Sequence, residues 1–373
     1  MVMKPRTLSV EPFKKAFVFL LHTFLLSSLP FALNTVSSKK TEAEALIRWK
    51  NTLSSHDSLD SWALNNITNL CSWKGVVCNT VSLYEIYLPD VGLNGTLDQL
   101  DFSSFPNLTS LKLRWNHFHG LIPYQISDLR NLTYLDLSFN SFTGEILDSL
   151  FTNLGKLEYL NLTGNSFQGS LLSILTKLTK LKGKLGNLQY LGLLIDSPHN
   201  STIPFELGLC TNLTQLILSG RSLTGSLPLS LTNLTKLSSL PITDSNLCGH
   251  ILPYFLTNWT QLTVLMLKNN SFTGEIPFEI GLLTNLTYLN LSGDRFSGYI
   301  PQATKLVHPR PFSQLSFRSN TSNDLEFNRT YVLVYFLQPS HRYDFTKGWT
   351  FEVTHGSGSK YESIKWAVVQ KHL

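Results

Sequence analysis

From Leu83 onward the apolar positions fall into one recurring frame, L-x-x-L-x-L, with leading leucines at Leu83, Leu108, Leu132, Leu157, Leu188, Leu213, Leu237, Leu262 and Leu286. Successive leaders are 24 or 25 residues apart, except for 31 between Leu157 and Leu188. Self-similarity at one fixed period predicts stacked supersecondary units, each unable to bury its apolar face without its neighbours. The closely spaced leucines predict a short strand with alternate side chains inward and the intervening ones in solvent. Stacked at this period, such strands form one parallel sheet.

Further positions recur in each unit. Eight residues after the leader stands an asparagine (Asn116, Asn140, Asn165, Asn270), and ten after it an apolar residue (Phe118, Phe142, Phe167, Leu223, Leu247, Phe272, Phe296). Glycine and often an Ile-Pro or Leu-Pro pair follow. The asparagine amide is suited to bonding backbone groups where the chain leaves the strand and ladder partners run out. Glycine tolerates the tight turn, and proline ends the local strand. Some units depart from the pattern: Asp196, Arg221, Ser245 and Asp294 replace the corner asparagine, and Pro241 stands mid-strand, where it removes a ladder donor. The long interval contains Leu178–Asn187, which reads as two half-units joined, so a kink or bulged loop is expected near 178–200.

Before the repeats, Thr41-Glu42-Ala43-Glu44 reads as a capping box opening an amphipathic helix through Leu46, Ile47, Trp49, Lys50 and Leu53. It is followed by Cys71-Ser72-Trp73-Lys74-Gly75-Val76-Val77-Cys78. The repeat, with its variants Phe142-Thr143-Gly144-Glu145-Ile146, Leu223-Thr224-Gly225-Ser226-Leu227-Pro228 and Phe272-Thr273-Gly274-Glu275-Ile276-Pro277, resembles plant-type leucine-rich repeats. The C-x-W-x-G-V-x-C run resembles the N-terminal cap of plant receptor-like kinases, receptor-like proteins and polygalacturonase-inhibiting proteins. The resemblance covers about residues 41–305. It implies an α/β repeat fold: a leucine-rich-repeat right-handed solenoid with a parallel concave sheet and a helical, disulfide-bonded N-terminal cap. In a secreted chain two cysteines as close as Cys71 and Cys78 favour a disulfide, with half of a zinc site as the competing reading. Cys210 and Cys248 fall at different phases of their repeats and read as buried free thiols.

Composition then bounds the ends of the chain. Of the formal net charge of +5, Lys4, Arg6, Lys14 and Lys15 against Glu11 place +3 in the first fifteen residues and leave +2 for the rest. No Lys/Arg run of the kind that tracks phosphates remains, so nucleic acid is not an expected partner. The early charges precede the apolar run Ala16–Leu26, and the pattern predicts a secretory signal peptide over 1–33. After its cleavage no span is evident, since Tyr331–Leu337 is too short to cross a bilayer. The expected organisation is therefore a signal peptide over 1–33, a cap over 34–82, about nine repeats over 83–305 with irregularity at 171–200, and a non-repeat tail over 306–373. The tail lacks the second cysteine pair with which the family usually closes its C-terminal end.

Secretion gives meaning to the Asn-x-Ser/Thr acceptors. Those expected to carry glycans are Asn66, Asn94, Asn107, Asn131, Asn212, Asn233, Asn258, Asn269 and Asn285, whereas Asn161 and Asn290 lie on concave strands where a glycan would obstruct binding. Catalytic motifs are not expected. His341-Arg342-Tyr343-Asp344 and Gly356-Ser357-Gly358 superficially match kinase motifs, but in the wrong order and in too short a tail. His117 and His119 read as exposed loop residues, with no metal or cofactor implied.

What a solenoid offers is the outward side of its concave strands. Counting two, four and six residues from each leader selects Arg114, Tyr134, Asp136, Tyr159, Asn161, Tyr190, Lys268 and Tyr288 as candidate ligand contacts. The resemblance implies a protein or peptide ligand, or another receptor-kinase ectodomain, as partner, recognised extracellularly or at the outer face of the plasma membrane. Two further readings are a secreted polygalacturonase-inhibitor-like defence protein and the product of a truncated receptor gene. None of the three is an enzyme.

Overall fold

The computed structural model describes residues 39–298, apart from 81, 147, 152, 169–185 and 195–199, together with 352–353 and 367–368. The expected signal peptide, most of the irregular stretch and nearly all of the tail lie outside the described residues. The chain divides into two units, Met1–Val334 and Tyr335–Leu373. In the second, Glu352–Val353 pairs antiparallel with Ala367–Val368.

The first unit is the expected solenoid. One ten-stranded sheet runs its length through Val76–Cys78, Leu83–Tyr87, Ser110–Lys112, Tyr134–Asp136, Tyr159–Asn161, Tyr190–Leu194, Gln215–Ser219, Ser239–Thr243, Val264–Met266 and Tyr288–Asn290. Its first pair is antiparallel and all later pairs are parallel. A second layer, formed where the apolar residue at position ten recurs, is interrupted: four short strands from Asn94–Gly95 to Ser166–Gln168 form one sheet, and five from Ser201–Thr202 to Arg295–Ser297 form another. The break coincides with the long interval. The concave ladder crosses that interval intact, with Tyr190 opposite Tyr159 and Leu191 opposite Leu160.

Between the layers runs a single apolar core of leucine rungs and a column of phenylalanines. Phe118 and Phe142 stack with centroids 6.2 Å apart, as Phe272 and Phe296 do at 6.3 Å. The cap extends this column: Trp49 stacks on Phe118 at 5.7 Å and touches Trp62, which stacks on Trp73. All three indoles are buried, and each N–H reaches a backbone carbonyl, on Thr96, Lys74 and Asn66 respectively. The cap thereby covers the apolar end that an open solenoid would expose. Cys71 and Cys78 form the expected disulfide, with Cα atoms 5.4 Å apart. Gly75 between them takes φ +74° under Leu88, where a Cβ would come within 2.5 Å of the Tyr87 carbonyl oxygen.

Two expectations are corrected. Thr41 lies inside the helix, described over 39–50, so the helix does not begin with a box at Thr41. Glu42 is instead fully buried, and its Oε2 accepts the Leu83 N–H at 3.1 Å, tying the cap to the first repeat. Both Cys210 and Cys248 are free thiols, but only Cys210 is buried; Cys248 is exposed, because its strand presents alternate side chains to solvent. Pro241 interrupts pairing on one side only: toward the preceding strand Gln215 pairs with Ser239 and Leu218 with Ile242, with a gap at the proline, whereas toward the next strand the register runs through Pro241 opposite Met266.

Candidate concave binding face

The corner asparagines hold the frame that positions the outward side chains. Asn165 is buried; its Nδ2 donates to the carbonyls of Leu137 at 2.9 Å and Leu162 at 3.1 Å, and its Oδ1 accepts the Phe142 N–H at 3.0 Å. Asn116, Asn140 and Asn270 repeat the arrangement. Each amide thus satisfies both strand exits and the next turn, pinning one repeat to its neighbour.

On this frame the candidate residues separate into two groups. Tyr134, Tyr159 and Tyr190 form a continuous ladder, with centroids 3.9 and 4.1 Å apart and planes within 6° and 15° of parallel. The Lys112 ammonium lies 4.5 Å from the Tyr134 centroid and 5.5 Å from that of Tyr87, and is 2.8 Å from a Glu85 carboxylate oxygen. Burial between neighbouring rings pushes the Tyr134 and Tyr190 hydroxyls well above the ordinary phenol range, reinforced by bonding and charge interaction with Tyr159. Both present neutral hydroxyls at physiological pH. Arg114, at the end of its strand, is exposed.

Asp136 and Asn161 belong to the other group. Expected as free side chains, they are buried at 3% and 8% exposure, and they bond their own strand exits. Asp136 Oδ1 accepts both the N–H and the hydroxyl of Ser138, and Asn161 Oδ1 does the same for Thr163. Short polar residues two apart on one face close on each other and hold the strand end. In the C-terminal repeats Lys268 lies 4.0 Å from Asp244, and Tyr288 is half-buried beside Asn290.

Counting by twos missed two aromatic residues. Trp115 and Phe139 follow the strands by an odd offset, are 53% and 42% exposed, and stack with centroids 4.1 Å apart. The signal available in the sequence was their column, filled elsewhere by Asp90, Gly164, Ile195, Gly220, Asp244, Asn269 and Gly293. None of the nine asparagines expected to be glycosylated is buried, whereas Asn161 and Asn290 are. Among the described residues no cluster of metal-ligating side chains occurs, and no helix is long and apolar enough to cross a membrane.

With this geometry in view, known proteins give concordant matches. Residues 39–79 match the family "Leucine rich repeat N-terminal domain", and residues 106–167 and 261–283 match leucine-rich-repeat families. The chain is 38% identical over 123 residues to MDIS1-interacting receptor like kinase 2 of Arabidopsis thaliana, covering 32% of this chain and 11% of that protein. It is 34% identical over 142 residues to the leucine-rich repeat receptor-like serine/threonine-protein kinase RGI4 of the same plant, covering 38% of this chain and 13% of the relative. The fold matches the ectodomain of the receptor kinase GASSHO1/SCHENGEN3 of Arabidopsis thaliana, solved with CASPARIAN STRIP INTEGRITY FACTOR 2 (TM-score 0.60, 31% identity, 71% of this chain, 31% of that one). It also matches the Arabidopsis HAESA ectodomain, solved with an IDA peptide hormone (TM-score 0.61, 30% identity, 72% of this chain, 44% of that one). The chain therefore carries a plant-type cap and leucine-rich repeats, and spans less than half the length of these relatives.

Proposed function

We propose that this chain is a recognition ectodomain of receptor type, which binds an extended peptide or a protein segment along the N-terminal half of its concave sheet. Recognition takes place in the secretory pathway's external compartment, in signalling or defence. The observation that carries the reading is the tyrosine ladder of Tyr134, Tyr159 and Tyr190, flanked by Lys112, on a sheet braced by buried asparagines. Stacked tyrosines offer large apolar area with a polar rim of hydroxyls and lose little side-chain freedom on binding, the properties that concentrate interface energy. The HAESA ectodomain, solved with a peptide hormone, supports a peptide by likeness of fold, and the GASSHO1/SCHENGEN3 ectodomain, solved with CASPARIAN STRIP INTEGRITY FACTOR 2, supports ligand recognition by the same fold. Nine unburied acceptor asparagines support passage through the secretory pathway.

The test is to secrete the whole chain from plant cells and pan a phage-displayed library of random linear peptides against it. Peptides that bind the parent and lose at least tenfold in affinity for Tyr159→Ala are expected. Failure to recover any, from protein that unfolds cooperatively, overturns the reading.

A further inference from the structure

Beside the tyrosine ladder the chain keeps an arrangement that its fold does not require. Among the described residues, the one seven after the leader turns the chain out of the concave strand with positive φ. Asp90, Asp244 and Asn269 take 52°, 55° and 56° there, and Gly164 and Gly293 take 66° and 77°. Glycine adopts this region freely, and Asp and Asn accept it through local hydrogen bonding. At two successive repeats the same position is held by Trp115 at 58° and Phe139 at 53°, for which the conformation is a genuine outlier.

The apolar core offers no reason for them. Leu113 and Leu137 close it on one side, the corner amides of Asn116 and Asn140 on the other, and both rings stand in solvent. They face each other at 4.1 Å with planes 9° apart, and Phe139 ends the stack over Gly164, where a Cβ would come within 2.6 Å of the ring. Just before Trp115 stands Arg114, exposed and in no salt bridge among the described residues. Of the other charges nearby, Lys112 is paired with Glu85 and Asp136 is buried against Ser138, while exposed Asp90 stands on the adjoining rung, its N–H donating to the Arg114 carbonyl at 2.9 Å. The chain thus holds a strained backbone and an exposed apolar pair next to an exposed positive charge that makes no salt bridge among the described residues. Unfavourable conformations that persist without a packing role mark functional positions.

We infer that Trp115, Phe139 and Arg114 form an anchoring site for a peptide in which a carboxylate neighbours an aromatic or large aliphatic side chain. The apolar side chain lies against the ring pair, and the carboxylate meets the guanidinium in a two-pronged bond. The inference rests on the reading of the concave face as a peptide-binding surface, and extends it sideways to the rim of the strands.

The probe is the set of linear peptides selected from the displayed library on the full chain. Asp or Glu beside Phe, Trp or Leu is expected to be enriched. Trp115→Gly with Phe139→Gly is expected to weaken these peptides at least tenfold while leaving the melting temperature unchanged or raised, because glycine serves the same turn elsewhere. Arg114→Gln should weaken them about tenfold and leave their Asn or Gln counterparts unaffected. Selected peptides that bind the double-glycine variant as well as the parent, yet fail on Tyr159→Ala, overturn the anchoring site and spare the concave face. Peptides indifferent to both changes overturn the concave reading and the site with it. A marked fall in melting temperature of the double-glycine variant assigns the rings to structural support and overturns the site.

Discussion

From Leu108 to Asn165 the solenoid turns every corner on asparagine, at Asn116, Asn140 and Asn165; from Leu213 to Asp294 it uses Arg221, Ser245, Asn270 and Asp294. Both runs build the same parallel ladder and core, so the corner amide is not needed to define the fold. What differs is how the backbone polar groups are met. In the first run each amide bonds two carbonyls and a neighbouring N–H. In the second, the Ser245 hydroxyl reaches only the Thr243 carbonyl, and Asp294 accepts the Phe272 N–H while its other oxygen is buried without a partner. The run with the complete corners also carries Tyr134, Tyr159, Trp115 and Phe139. Rigid support and the aromatic face therefore coincide, as a preorganised binding surface requires.

The sharpest way to break the comparison is to delete a corner on each side. Asn165→Ala strands two carbonyls and an N–H at about 1–3 kcal/mol each, so its melting temperature should fall by roughly 10 °C. Ser245→Ala, losing one local bond, should fall by no more than about 2 °C; calorimetry of the two variants decides. Equal losses would show that the corner amides do not distinguish the halves.

Next in size is the cap that precedes the first run. Replacing Cys71 and Cys78 by serine removes a short loop closure contributing roughly 2–3 kcal/mol, and the variant should melt several degrees lower, as reduction of the parent should. Loss confined to the cap would appear as two transitions in calorimetry.

The two runs also differ in their response to pH. Burial pushes Asp294 up to about 7, opposed by backbone bonding from Phe272 and Asn270, and pushes Glu42 in the cap up to about 7, opposed by the bond from Leu83 and by Lys39. Both folded values stand above the ordinary carboxylate range, so the folded state holds protons that the unfolded chain has released. Their contribution is complete below about pH 4 and is lost as pH rises through about 7. The parent should melt higher at pH 5 than at pH 8. Asp294→Asn should raise the melting temperature at pH 8 by a few degrees, change little at pH 5, and remove part of the slope; an undiminished slope would sink the assignment to Asp294. The smallest effect is the repair of a corner: Ser245→Asn supplies the amide that Asn270 uses one repeat later, and should gain about 1 kcal/mol.

The architecture was legible because the period is covalent information: leucine spacing, corner asparagines and the cap cysteines can all be read along the chain. The binding face was legible by half. Tyr134, Tyr159 and Tyr190 follow strand alternation, which a period of two captures. Asp136 and Asn161 obey the same alternation, yet they turn onto Ser138 and Thr163, a competition between solvent and local bonding that spacing does not encode. Trp115 and Phe139 lie where alternation has ended and a left-handed residue takes over, so their direction depended on a dihedral angle. Thr41 was misplaced because a helix start inferred from one capping pattern ignores the turns that can precede it.

The exposed indole of Trp115 also makes the molecule a native optical probe. Trp49, Trp62, Trp73 and Trp259 are sealed at 2% exposure or less, so among the described tryptophans Trp115 alone is open to an aqueous collisional quencher. Its emission should lie to the red of the other four and be suppressed first by acrylamide. A ligand that covers the ring would shift that emission to the blue and shield it, so that occupancy of the rim can be followed by fluorescence without attaching a dye.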